Sequence, residues 1–275
     1  MNTLYISDLD GTLLNKEAEL SEYTRNTLNE LINKGMKFTI ATARSAATVN
    51  GILKGIHLNL PVILMNGVLI YDFNNKTYIN IEYLPEESLT FIISTLKQYH
   101  LTGFLYEIKQ DTQTTYYERL DHKAQRDFYE ERVRKYQKPF TQVSDFSLVS
   151  PEHIIYLALL DRQKNLEPAY EQLKSCPGIA MAYYKDIYSE EELWYLEIFS
   201  KAATKYNAVR YLRNKYHYET IVGFGDNLND LPLFKACDIT CAVKNAKDEL
   251  KAAANYIIDS NTEDGVARWL SMNAN

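Results

Sequence analysis

The run Asp8-Leu9-Asp10-Gly11-Thr12-Leu13-Leu14 follows directly on Thr3-Leu4-Tyr5-Ile6-Ser7, a short apolar stretch that reads as a strand. Side chains two apart on an extended segment point the same way. Where the strand opens into a glycine turn, the Asp8 and Asp10 carboxylates can therefore converge on one site. Ligands of open parallel sheets bind at the carboxyl ends of the strands, which is where this run sits. Asp and Gly also punctuate ordinary turns. An ordinary turn, however, has no need of two acids, a Gly-Thr and two leucines in this order, so the run is read as a catalytic centre.

The flanking chain alternates strand and helix. Ser21 to Lys34 reads as a helix with Ser21 as N-cap, Leu28, Leu31 and Ile32 on its apolar face and Gly35 at its stop. Lys37 to Ala41 is a second strand, Ser45 to Lys54 a second helix and Val62 to Met65 a third strand. The rhythm returns near the C-terminus. Helices are predicted at Asn207 to Lys215, Asp230 to Ala236 and Ala246 to Ala254, and strands at Thr220 to Gly225 and Asp238 to Val243. Strands separated by helices imply a parallel sheet.

The middle behaves differently. After an amphipathic helix from Pro85 to Tyr99, the runs Thr102 to Lys109 and Gln113 to Leu120 follow one another without a helix between them. A charged helix near Asp121 to Lys135 follows, then strand His153 to Leu160, helix Asn165 to Ser175, and strands Ile179 to Lys185 and Trp194 to Phe199. This pattern predicts an antiparallel sheet with its helices on one side. The expected fold is a doubly wound, mostly parallel, Rossmann-like α/β core over residues 1–83 and 191–275. An α+β domain over 84–190 is inserted into it.

Composition narrows the function classes. With 275 residues, 46% of them hydrophobic, the chain can support a core, which argues against disorder. Three cysteines argue against a disulfide-stapled scaffold, and a net charge of −6 argues against nucleic acid as partner. No apolar run is long enough to span a bilayer and no secretory leader is evident, so a cytoplasmic protein without a membrane partner is expected. Cys237 and Cys241 lack the further ligands of a zinc site, and the histidines form no triad. The 22 tyrosines, more than twice the 10 phenylalanines, include Tyr116, Tyr117, Tyr183 and Tyr184 in inserted-domain strands. Packing is the default reading of these four, with a sugar- or polyol-binding face as the alternative.

The opening run resembles the nucleophile motif of haloacid-dehalogenase superfamily phosphatases, and three more of that family's motifs match in order. Thr42 in Ile40-Ala41-Thr42-Ala43-Arg44 ends the second strand. Lys205 opens the helix Lys205-Tyr206-Asn207-Ala208-Val209-Arg210-Tyr211-Leu212, with Tyr206 where the family usually has glycine. The acidic pair lies in Gly225-Asp226-Asn227-Leu228-Asn229-Asp230. The stretch from Asp10 to Thr42 has no room for an inserted domain, whereas the stretch from Arg44 to Lys205 has ample room. The order of elements inside it resembles the type 2, subclass B cap of the Cof-type branch. Further local matches are Asn66-Gly67, Asn245-Ala246 and the segment beginning at Asn261.

The resemblance implies a hydrolase acting on a small soluble phosphate ester, a sugar phosphate or a cofactor phosphate. Asp8 would attack phosphorus to give an aspartyl-phosphate, and Asp10 would serve as acid and then base. Asp8, the Asp10 backbone carbonyl and Asp226 would hold Mg2+. Thr42 and Lys205 would grip the phosphoryl oxygens, Asn229 would contact phosphate or orient Asp226, and Arg44 would reach substrate or cap the helix region that follows it. Asp230, Asn66 and Asn261 would support these groups from behind. A phosphomutase or phosphotransferase of the same superfamily, or a phosphate-ligand sensor without catalysis, remains open at this level. Specificity residues and oligomeric state have no motif.

Overall fold

The computed structural model describes residues 2–186 and 192–274. The first segment runs β1 (Thr3–Ser7), α1 (Glu22–Asn33), β2 (Lys37–Ile40), α2 (Ala46–Ile52), β3 (Val62–Leu64), β4 (Leu69–Asp72) and β5 (Thr77–Ile81). The middle runs α3 (Glu86–Gln98), β6 (Phe104–Lys109), β7 (Thr112–Tyr117), α4 (Lys123–Tyr136), β8 (Phe140–Gln142), β9 (Ile154–Arg162), α5 (Gln163–Leu173), β10 (Ile179–Lys185) and β11 (Leu193–Ser200). The chain then continues through α6 (Lys205–Tyr216), β12 (Thr220–Gly225), α7 (Leu231–Ala236), β13 (Ile239–Val243), α8 (Asp248–Ala252), β14 (Tyr256–Ile258) and α9 (Gly265–Asn273). No described helix is long and apolar enough to cross a membrane.

Two compact units result: residues 1–81 with 203–275, and residues 82–202. The expected junction at 190/191 lies outside the described residues for Glu190 and Glu191. The division falls instead at 202/203, because β11 pairs antiparallel with both β9 and β10 and so belongs to the inserted unit.

The first unit is built on a five-stranded parallel sheet in the order β14-β13-β12-β1-β2. β1 lies between β12 and β2, so the strand order reverses beside it, and the β1–β12 boundary is the topological switch point. Neighbouring residues of β12 report helices on both faces. Gly223 lies against Leu233 and Cys237 of the α7 side, while Phe224 meets Trp269 of α9 edge-on. Covering both faces explains why β1 is apolar almost throughout, with Leu4 and Ile6 fully buried. Burying each such side chain contributes about 1.5–3 kcal/mol. Ser21 caps α1 by accepting from Thr24 N at 2.9 Å, and Gly35, at φ +102°, lets the chain leave the helix.

The unit also contains a second, three-stranded antiparallel sheet, β3-β4-β5, for which the sequence reading gave only β3. A single parallel bridge, Ala41 to Ile63, joins it to the end of β2. The β4–β5 turn is held by the Asp72 carboxylate, which accepts from the backbone of Asn74 and Asn75.

The inserted unit has a six-stranded sheet in the order β10-β11-β9-β6-β7-β8, antiparallel except for the β7–β8 pair. Residues of α3 and α5, such as Leu89, Ile92, Leu166 and Leu173, form its main core with Leu105, Leu157, Leu196 and Ile198 of one sheet face. The helices do not all lie on that side, contrary to expectation. Phe104 projects oppositely to Leu105 and stacks on Phe128 of α4 at 4.5 Å, so α4 covers part of the other face. The charged pattern of α4 hid this contact, because only a few of its residues are buried.

Candidate active site

The chain leaves β1 with Asp8 N donating to Phe224 O of β12 at 3.0 Å. It then turns tightly, the backbone N–H groups of Thr12, Leu13 and Leu14 all converging on Leu9 O. Gly11 adopts φ +76°, and a Cβ there would lie 2.4 Å from Asp226 Oδ2. Only glycine lets the two loops at the switch point approach this closely. Thr12 Oγ1 donates to Asp226 Oδ1 at 2.8 Å, fixing the second loop to the first.

Lys205 occupies the centre. Thr204 caps α6 by accepting from Asn207 N at 3.1 Å, which starts the helix at Lys205 and directs its side chain inward. The ammonium, 1% exposed, donates to Asp8 Oδ1 at 2.6 Å and to Asp230 Oδ1 at 2.7 Å. The other Asp230 oxygen accepts from Asp226 N at 3.0 Å and Asn227 N at 3.1 Å. Asp230 is thus fully buried with both oxygens satisfied, and it ties the lysine to the loop after β12.

Burial pushes the Asp8 carboxyl up to about 7, even with the Lys205 ammonium pulling it down. Burial likewise pushes Asp226 up to about 6, against the pull of the Thr12 hydroxyl. Burial alone would lower Lys205, but Asp8 and Asp230 outweigh it and hold the ammonium above its usual value. The lysine is therefore a fixed positive charge among acids.

At the mouth, Arg44 Nε and Nη2 donate to the two oxygens of Asp10 at 2.7 and 2.6 Å. Arg44 N donates to Thr42 Oγ1 at 3.1 Å, and Thr42 itself is buried. Asn66, at φ 54°, lies beside Asn229, whose Nδ2 is 3.5 Å from Asn66 Oδ1 on an exposed rim. Gly67 allows this loop to touch the Thr204 backbone, which a Cβ would overlap. Asn261 sits on the other flank. Its Nδ2 donates to Leu14 O at 2.7 Å and its N donates to Asn245 Oδ1 at 3.0 Å, while Asn245 Nδ2 donates to Gly11 O at 2.7 Å.

The structure thus gathers Asp8, Lys205, Asp226 and Asp230 into one cluster and pairs Asp10 with Arg44. Thr42 carries the backbone of Arg44, Asn66 meets Asn229, and Asn261 braces the loop after β1. Thr12 and Asn245 join the site without a role expected from their place in the sequence. The position of Thr12 inside the Asp-x-Asp-Gly-Thr run was its available signal. Asn245 had only its local match to the family.

A divalent cation fits this cluster. Asp8, Asp226 and Asp230 each offer an oxygen, all within 4.8 Å of one another. Three carboxylates against one ammonium leave net negative charge in a buried place, and an all-oxygen donor set suits a hard cation such as Mg2+. The elevated Asp8 and Asp226 point the same way, since both need further positive charge to ionise fully. Cys237 and Cys241 are outside this group, Cys241 buried and Cys237 half-buried.

A family model described as haloacid dehalogenase-like hydrolase matches residues 5–270. The chain is 29% identical over 283 residues to a 5-amino-6-(5-phospho-D-ribitylamino)uracil phosphatase of Bacillus subtilis, with 96% of this chain and 95% of that one covered. It is 24% identical over 274 residues to a pyridoxal phosphate phosphatase of Escherichia coli, with 96% and 95% covered. Among solved structures, a Thermotoga maritima protein superposes with a TM-score of 0.78 at 26% identity, covering 100% of this chain and 98% of that one.

Proposed function

Because the chain belongs to the haloacid dehalogenase-like hydrolases and is a phosphatase, we propose that it removes phosphate from a small soluble phosphomonoester through an aspartyl-phosphate on Asp8. The observation that carries this reading is the buried Asp8 carboxylate, joined by Lys205 to Asp230 and adjoining Asp226 at the sheet's switch point. In the first half-reaction an Asp8 oxygen attacks phosphorus, the bond from phosphorus to the leaving oxygen breaks, and Asp10 gives its proton to the departing alkoxide. In the second, water attacks phosphorus, Asp10 takes the water proton, and the bond to Asp8 breaks to release phosphate. Lys205 and Thr42 hold phosphoryl oxygens, and Asn229 reaches the same group from the rim.

Mg2+ would be held by Asp8, Asp226 and the Asp10 backbone carbonyl, with the Asp230 carboxylate in the same cluster. The cation supplies charge that keeps Asp8 ionised and offsets the phosphate's own charge. Two relatives act on pyridoxal phosphate and a ribitylaminouracil phosphate, which favours a cofactor or sugar phosphate as the substrate class.

Phosphate release from a panel containing p-nitrophenyl phosphate, a hexose phosphate and pyridoxal phosphate tests the reading, with Mg2+ and after chelation. Turnover that needs Mg2+ and disappears in Asp8→Asn is expected. Turnover undiminished by either change overturns it.

A further inference from the structure

Asp10 stands on the open side of the site, its side chain 50% exposed. A carboxylate so placed has several rotamers available, and proton transfer needs one of them. Both of its oxygens are occupied by the Arg44 fork, at 2.6 and 2.7 Å. Two parallel N–H contacts fix the plane of a carboxylate as a single contact cannot. The arginine is itself anchored. Its backbone N–H is held by the buried Thr42 hydroxyl, and its carbonyl accepts from Met65 N, each at 3.1 Å.

From this geometry we propose that Arg44 is a positioning residue for Asp10, orienting the carboxylate that gives a proton to the leaving alkoxide and then takes one from water, rather than a ligand for the substrate. Each Asp10 oxygen accepts one guanidinium N–H and retains a lone pair for the proton. The inference rests on the phosphatase mechanism above. It goes beyond that mechanism by tying the end of β2 to the acid–base group at the end of β1.

The need for Asp10 depends on the leaving group. An alkoxide leaves poorly without a proton, whereas p-nitrophenolate leaves nearly unaided. General acid help is worth roughly 10²–10⁴-fold where it is needed. Arg44→Ala, Asp10→Asn and the double variant are compared on a primary alkyl phosphate and on p-nitrophenyl phosphate. The second half-reaction also uses Asp10 and is the same for both substrates, so the variants are compared on kcat/KM, which reports phosphoryl transfer to Asp8. Arg44→Ala is expected to lower it about 10–100-fold on the alkyl phosphate and less than about threefold on the aryl phosphate. The double variant is expected within about threefold of Asp10→Asn alone, since both changes remove one function. Arg44→Lys, which keeps the charge but not the fork, should recover only part of the loss. It also carries the same comparison if Arg44→Ala melts early.

Equal losses of kcat/KM on both substrates, a loss on the alkyl phosphate carried wholly by KM with kcat unchanged, or multiplicative losses in the double variant would overturn the proposal. Full turnover in Asp8→Asn would overturn the phosphatase mechanism itself, and this inference with it.

Discussion

Replacing Lys205 by Met removes the ammonium that contacts Asp8 and Asp230 while keeping an unbranched apolar side chain in its channel. Lys205 is 1% exposed, Asp8 5% and Asp230 0%, so water cannot take the place of the ammonium. Breaking a buried ion pair by deleting one partner costs about 3–5 kcal/mol. At roughly 2–4 °C per kcal/mol for a domain of this size, metal-free Lys205→Met should melt about 6–20 °C below the parent near pH 8.

The deficit should depend on pH. Asp8 is already pushed up to about 7 with the ammonium present, and losing Lys205 pushes it further. A group whose folded pKa is raised contributes stability that is complete below its unfolded value and is lost as pH rises through the folded value. The variant's deficit should therefore be largest near pH 8 and less than about half as large near pH 5. Thermal melts in chelator at the two pH values measure this directly. Unchanged melting near pH 8, or the same deficit at both values, would refute Lys205 as the counter-ion of the acid cluster.

Three further outcomes are expected. Stabilisation by Mg2+, read as a rise in Tm, should grow between about pH 5.5 and pH 8, because protons compete with the cation for Asp8 and Asp226, pushed up to about 7 and about 6; a pH-independent rise would place the ion elsewhere. Gly11→Ala sets a Cβ against Asp226 Oδ2 at a φ of +76°. Calorimetric titration should show Mg2+ affinity reduced at least about tenfold, the backbone strain itself costing about 1–3 kcal/mol, and unchanged affinity would contradict the close approach of the two loops. Tyr183 stacks between Tyr170 at 4.4 Å and Trp194 at 4.8 Å, whereas Tyr184, on the opposite sheet face, pairs with Tyr195 at 5.5 Å. Urea unfolding should show Tyr183→Ala losing about 1–3 kcal/mol; no loss would contradict its packing between Tyr170 and Trp194.

Much of the core was legible because its signals are local. β1, α1, β2 and β12 declare themselves through apolar runs, the Ser21 cap and Gly35. The β4–β5 hairpin was not recognised, since neither strand exceeds five residues and none of β5 is fully buried. Its Asn74-Asn75 turn was the available clue. Within the inserted unit, α4 reads as a solvated charged helix, yet Phe128, Tyr129 and the buried Gln125 anchor it to the sheet face opposite α3 and α5.

At the site, residue types and their order carried the motifs, and resemblance to a family supplied the roles. Contacts between distant segments carried no local mark. Nothing near Arg44 in the chain indicates Asp10, and nothing near Lys205 indicates that Asp230 shares its ammonium with Asp8. These pairings arise only where the parallel sheet brings the ends of β1, β2 and β12 together.

The central claim is a covalent phosphoryl group on Asp8. The enzyme is mixed with a turned-over phosphate ester, quenched in acid, reduced with borohydride and mapped by peptide mass spectrometry. The account predicts homoserine at position 8 and at no other aspartate. An unmodified Asp8 during active turnover, or trapping at a different residue, would contradict it.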